Sequence, residues 1–307
     1  MTAEKKPIII FDTDMDTDCD YAGAFLMLIN AHMCGEINLI GVMADSVCEF
    51  SAPFCEKVLS YYGLDIPVGE IYSNIANYER FFAYLRHQKS CENVAYNEIL
   101  SERHTDYEST ATLYDRLLKG APDKSVTVLC VGMLTAVFNA IKNDKELFYK
   151  KVNKVVVMGN PYKENDFNFS MDKESAKGFF DLCPSPVFIS YAGTEIITGN
   201  NLKNTLPMSN PIRQAYEIWN GDKGRSSWDL VATLYAINFD ESLFEVIWQG
   251  QIEYNIKDKI AELQKGTRDT IIKPKCTNEK MAEILNGLLE DESYVKRTKT
   301  KKGYSGE

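Results

Sequence analysis

Asp12, Asp14, Asp16, Asp18 and Asp20 stand at every second position of one short stretch. Side chains alternate along an extended chain, so all five carboxylates would share one face. Neighbouring pairs would then repel by up to about 4 kcal/mol at 4 Å and a surface-like effective dielectric. Such crowding requires a cation, the donors of a helix start, or full solvation. Ile8-Ile9-Ile10-Phe11, just before the acids, reads as a buried parallel strand. Ala22 to Ile29, just after them, reads as a helix packed closely on the sheet. The acids therefore fall on the turn from a strand's carboxyl end to a helix N-terminus, where open α/β sheets place their ligands.

Rival readings of this stretch differ in what they demand. A solvated acidic loop is the plain alternative, although it leaves the buried strand directly before it unexplained. An EF-hand does not fit, because position six of a loop starting at Asp12 is Thr17 and position twelve is Gly23. A haloacid-dehalogenase-type phosphatase also opens with a strand and Asp-x-Asp. That fold expects Thr or Val two residues after the second Asp, where Asp16 stands.

The elements that must hold these acids can be read along the chain. Strands are expected at Ile37–Met43, Asp65–Gly69, Ser125–Gly132, Lys154–Asn160 and Pro186–Tyr191, the last being the final clear parallel-type strand. Helices are expected over 52–62, 108–119, 134–143, from the N-cap candidate Asp172 through Phe180, and across most of 195–240. Gly221 to Ser226 reads as a polar turn. Past residue 243 shorter strands and a helix near 277–290 are expected. The segment from 70 to 106, with His87 and His104, reads as helices and loops covering a site mouth. Strand and helix patterns alternate, which implies an α/β fold: a mostly parallel central sheet flanked by helices, an open Rossmann-like sheet. One domain is expected over 1–295, with a flexible basic tail over 296–307.

The 307-residue chain carries a net charge of -10, which argues against nucleic acid or an anionic membrane as partner. No apolar run approaches the roughly 18–20 residues of a membrane span. The 8 cysteines form no CxxC pair and several fall in apolar runs, as buried thiols of a reducing compartment do. Met1 to Lys6 leads straight into a strand without signal-peptide character, so a cytoplasmic location is expected.

With the strand ends placed, four stretches resemble the inosine/uridine-preferring nucleoside hydrolase superfamily. Asp12-Thr13-Asp14 resembles the start of DxDxGxDDA, with two extra residues before the acidic pair. Val126 to Thr135 is similar to a strand ending in T-G-P-L-T-N. Val155–Gly159, Asp166-Phe167-Asn168 and Asp172–Ala176 resemble V-V-M-G-G, E-F-N and D-P-E-A-A in order. Trp228-Asp229 matches a late helix that begins His-Asp.

The resemblance implies hydrolysis of the N-glycosidic bond of a ribonucleoside or related ribosyl compound. It implies one Ca²⁺ ion per chain, held by carboxylates, a backbone carbonyl and two ribose hydroxyls, with an aspartate taking a proton from a bound water. Carried over by position, Asp14 is the base and a metal ligand. Val131 offers the carbonyl, and Asp229 and Asp20 complete the metal set. Asp18, Asp20, Asp166, Phe167, Asn168 and Trp228 are placed around the substrate. The resemblance further implies a homo-oligomer, a dimer or a tetramer. The chain departs from the pattern at Asp16, Met133, Ala136 and Asp166, and more consequentially at two positions. Tyr21 stands where a metal-ligand Asp is expected, and Trp228 where a His would protonate the leaving base. A catalytically impaired relative that binds a nucleoside or sugar is therefore a second reading, beside the phosphatase.

Overall fold

The run of β-branched residues at the start of the chain becomes the centre of a nine-stranded sheet. A computed structural model describes residues 6–15, 18–46, 48, 50–71 and 106–290. Strand β1 (Ile8–Thr13) pairs in parallel with β2 (Asn38–Ala44) on one side and β5 (Val126–Cys130) on the other. Alternation sends Ile9 and Phe11 into the core on one face and Ile10 into the core on the other. A strand covered on both faces needs such an unbroken apolar run.

Outward from β2 lie β3 (Val68–Glu70) and the short β4 (Glu108–Ser109); outward from β5 lie β6 (Val152–Met158) and β7 (Val187–Ser190). The chain thus builds one half of the sheet, crosses β1, and builds the other half. The switch point falls between the carboxyl ends of β1 and β5, where the crevice of an open α/β sheet lies.

Helix α1 (Asp20–Met33) follows β1 and is buried continuously from Asp20 to Ala31. It lies under other helices, so its sequence is apolar nearly all round. Helix α2 (Ser51–Tyr61) follows β2. The opposite face is covered by α3 (Thr110–Gly120), α4 (Thr135–Asn143) and the helices that follow it. These are α5 (Lys145–Lys151), α6 (Phe167–Met171) and α7 (Lys173–Leu182), with Asp172 capping α7 by accepting from Ser175 N at 3.1 Å.

The segment 195–240 is less uniformly helical than its composition suggests. A two-stranded antiparallel ribbon, β8 (Ile197–Thr198) with β9 (Arg225–Ser226), brackets α8 (Leu202–Thr205) and α9 (Pro211–Asn220). Helix α10 (Trp228–Ala236) then packs against α1.

The expectation of short strands after residue 243 is corrected. Phe244–Asn255 (β10) and Ile260–Pro274 (β11) form one long antiparallel hairpin. Pro186–Tyr191 is not the last parallel strand either, because Asp269–Ile272 of β11 pairs in parallel with Val187–Ser190. Much of the hairpin is solvent-exposed, so its sequence mixes polar and apolar residues and hides its length. Helix α11 (Asn278–Glu290) closes the described chain. Most of 70–106, including His87 and His104, and the tail 296–307 lie outside the described residues. Among the described residues, no helix is long and apolar enough to cross a membrane.

Candidate active site

At the end of β1 the acids separate into distinct environments. Asp12 is fully buried, and its Oδ2 accepts from the Tyr114 hydroxyl of α3 at 2.6 Å. Burial raises its carboxyl to about 8, against the opposing pull of the Tyr114 bond. Asp45, just past β2, is also fully buried and accepts from Ala136 N at 2.9 Å. Burial, with the Asp12 charge adding to it, holds Asp45 well above the ordinary carboxylate range. This inner pair lies behind the cavity rather than in it.

Asp14 leads outward into a cavity of about 760 Å³ at the carboxyl ends of the strands. Burial lifts its carboxyl to about 7, and the charge of Asp18 adds to the rise. Gly132, past β5, lets this loop lie close: a Cβ there would meet Asp14 N at 2.4 Å.

Asp20 opens α1 and Asp229 lies in the first turn of α10, so two helix N-termini bring their positive ends to the same place. Asp229 N donates to Asp20 Oδ2 at 3.3 Å. Asp229 does not cap its helix. It is 1 % exposed, and neither carboxylate oxygen has a hydrogen-bond partner. Burial, followed by the charges of Asp20, Asp14 and Asp18, pushes its pKa well upward.

Across the cavity, Asn168 of α6 donates through Nδ2 to Val131 O at 2.9 Å and Met158 O at 3.1 Å. The side chain thereby ties the ends of β5 and β6 together and engages the Val131 carbonyl. Asp166 is the N-cap of α6; its Oδ1 accepts from Phe169 N at 3.3 Å and its Oδ2 from Asn160 N at 3.0 Å. Both residues serve the turn and also line the cavity. Phe167 and Trp228 form part of its wall, with Trp228 Nε1 donating to Thr194 Oγ1 at 3.0 Å.

Nine of the residues singled out from the sequence line one space, namely Asp14, Asp18, Asp20, Val131, Asp166, Phe167, Asn168, Trp228 and Asp229, whereas Asp12, expected on the same face as the other acids, does not. Asp16 lies outside the described residues. Tyr21 lines the cavity too, and its hydroxyl accepts from the backbone amide of Asp18. Tyr191 is in the wall, edge-on to Tyr162 at 5.6 Å.

Sequence reasoning missed Arg225, which read as part of a polar turn. Its Nε and Nη2 donate to Asp18 Oδ1 and Oδ2 at 2.8 and 2.5 Å, and it lines the cavity. It also missed the Asp12–Tyr114 bond and the wall from Ala192 to Glu195. No period or spacing in the chain signalled either bond.

Among the described residues, no three His, Cys, Asp or Glu side chains form a ready-made metal cluster. The donor chemistry nonetheless fits a hard cation. Asp229 is buried with both oxygens unpartnered, Asp20 and Asp14 act on it electrostatically, and all three supply carboxylate oxygen.

A mostly parallel sheet with its acids at the switch point defines an open, Rossmann-like α/β protein with its ligand site at the strand carboxyl ends, and comparison with known proteins makes the class specific. The sequence pattern of the inosine-uridine preferring nucleoside hydrolases matches residues 9–288. The chain belongs to that family, whose members hydrolyse N-glycosidic bonds. No curated protein sequence matches it.

Solved structures share the fold at low identity. A plant nucleoside hydrolase, PpNRh1, is 16% identical with TM-score 0.73, covering 93% of this chain and 99% of that one. The inosine-uridine preferring nucleoside hydrolase from Bacillus anthracis is 13% identical with TM-score 0.69, covering 92% and 99%. The type III effector protein XopQ, solved in complex with adenosine diphosphate ribose, is 12% identical with TM-score 0.62, covering 96% and 95%. Family membership replaces the phosphatase reading. The burial of Asp12 against Tyr114 agrees, since that reading needs an accessible nucleophile there.

Proposed function

We propose that this protein hydrolyses the N-glycosidic bond of a ribonucleoside or a related ribosyl compound, with Asp14 as general base. The observation that carries the reading is Asp229, a buried carboxylate with no partner, set beside Asp20 and Asp14 in the cavity at the switch point. Asp14, Asp20, Asp229 and the Val131 carbonyl are the groups that would hold Ca²⁺. When bound, the ion supplies positive charge and Lewis acidity to the site.

The remaining chemistry belongs to the chain. Asp14 lines the cavity beside the groups that would hold Ca²⁺, where its carboxylate is placed to accept a proton from an attacking water. Asp18, Asp20 and Asp166 offer carboxylate oxygens, and Asn168 its Oδ1, as acceptors to sugar hydroxyls. The carboxylates lining the cavity favour a sugar that gains positive charge as its bond to the base breaks. Phe167 and Trp228 provide apolar surface for the base. The cavity is lined by Asp14, Asp18, Asp20, Asp166, Glu195 and Asp229 against Lys163 and Arg225, a balance that favours neutral substrates over phosphorylated ones.

A second reading, binding without turnover, is favoured by Tyr21 and Arg225. Tyr21 is tied to the Asp18 backbone, and Asp18 is tied to Arg225, so two positions near the acids are already engaged. A reducing-sugar assay over a nucleoside panel, run on the wild type and Asp14→Ala, decides between them. Ribose release that is lost in Asp14→Ala supports hydrolysis; nucleoside binding with no release from the wild type supports the second reading.

A further inference from the structure

Arg225 is held more firmly than a turn residue needs to be. Its guanidinium carbon lies 4.8 Å from the Trp219 ring centroid and 4.9 Å from that of Trp228. Asp18 takes two of its N–H groups in a bidentate pair, while Asp18 Oδ1 also accepts from Cys19 N at 2.7 Å. Two aromatic walls and a carboxylate fork fix the plane of the charge, a geometry that arginine satisfies and lysine does not. The pair is largely screened from water, with side-chain exposures of 23% and 19%.

This fixed cation faces the groups proposed to hold Ca²⁺. Arg225 lines the same cavity as Asp20 and Asp229, and the carboxylate it clamps, Asp18, is two residues before Asp20. That carboxylate otherwise stands among the cavity's acids. Asp229 supplies the independent sign that the cavity is built for a cation, since both of its buried oxygens lack a partner.

We propose that Arg225 is a resident cation that sets the divalent-ion affinity of this cavity, by occupying Asp18 and by opposing a second positive charge near Asp20 and Asp229. The inference rests on the reading that Asp14, Asp20 and Asp229 hold Ca²⁺. Arg225 acts through the acids, as a positioning residue.

Calorimetric titration of the full chain with CaCl₂ tests it, using the wild type, Arg225→Met, Arg225→Lys and Asp18→Asn. Arg225→Met removes the opposing charge and frees Asp18, so its Kd for Ca²⁺ falls by roughly tenfold or more. Arg225→Lys keeps the charge and loses the bidentate hold on Asp18, so its Kd falls between those of the wild type and Arg225→Met. Asp18→Asn keeps Arg225 and loses a carboxylate, so it binds no more tightly than the wild type. A wild type that binds Ca²⁺ as tightly as Arg225→Met overturns the role of Arg225 and leaves the Ca²⁺ reading standing. Absence of binding in every variant overturns both. Arg225→Leu, which likewise has no charge and no donor for Asp18, carries the same expectation as Arg225→Met and replaces it if the Met variant fails to fold.

Discussion

Asp229 N donates to Asp20 Oδ2 at 3.3 Å, joining the first turns of α10 and α1 across a sequence separation of 209. The contact sets two buried carboxylates side by side, each at the positive end of a helix. The helix ends offset part of their repulsion, and the unpartnered oxygens of Asp229 show that the compensation is incomplete. The first prediction follows from that imbalance.

Asp229→Asn keeps the side-chain volume and removes one uncompensated charge. Without metal, the variant is expected to be about 1 kcal/mol or more stabler than the wild type at pH 8. Its Kd for Ca²⁺ is expected to rise at least about tenfold, because a ligand charge is lost. Urea unfolding in EDTA and calorimetry in CaCl₂ measure the two effects separately.

The pH dependence of stability has a definite sign. Asp12 and Asp14 are raised to about 8 and about 7, above the roughly 3.9 of an unperturbed Asp. The folded chain therefore holds protons that the unfolded chain has released, and ν_N exceeds ν_U between those values. Their contribution to stability is complete below about pH 4 and is lost as pH rises through 7 and 8, at up to about 1.4 kcal/mol per pH unit for each group. The melting temperature in EDTA should fall between pH 5 and pH 8. Added Ca²⁺ should raise it more at pH 8 than at pH 5. A melting temperature that climbs over this range in EDTA would contradict the account.

Tyr114→Phe removes the 2.6 Å hydroxyl donor to Asp12 and leaves the carboxylate buried without it. A loss of about 1–3 kcal/mol is expected from urea unfolding at pH 8. The loss should shrink at pH 5, where Asp12 carries its proton and has less need of the donor.

Asn168→Ala leaves the Val131 and Met158 carbonyls without their side-chain donor. A stability loss of about 1–2 kcal/mol is expected. If Asn168 also holds a sugar hydroxyl, KM should rise roughly tenfold, while a nucleoside lacking that hydroxyl should show a much smaller change. Steady-state kinetics on the ribo- and deoxyribonucleoside pair separates the two roles.

The sequence by itself determined the opening strand, the helix after it and the turn that carries the acids. These are local facts: β-branched residues in a short run, then an unbroken apolar run from Ala22 to Ile29. It also determined the family, because four motifs in a set order constrain one topology. Through them Asp14, Asp20, Val131, Asp166, Asn168 and Asp229 could be drawn to one place before any geometry was known.

Tertiary structure alone decided how the acids divide the work. Asp12 turns inward to Tyr114, a partner 102 residues away, while Asp18 turns to Arg225, a partner 207 residues away. Neither pairing leaves a period or spacing in the chain, so identical residue types at identical intervals gave no hint of different fates. The register of β11 against β7 was hidden for a related reason: the paired residues Asp269–Ile272 are buried but only four long and half polar, within a strand that is otherwise mostly exposed or half-buried. Local sequence controls what a segment prefers to be; the burial and partner of each charge depend on what the rest of the chain brings beside it.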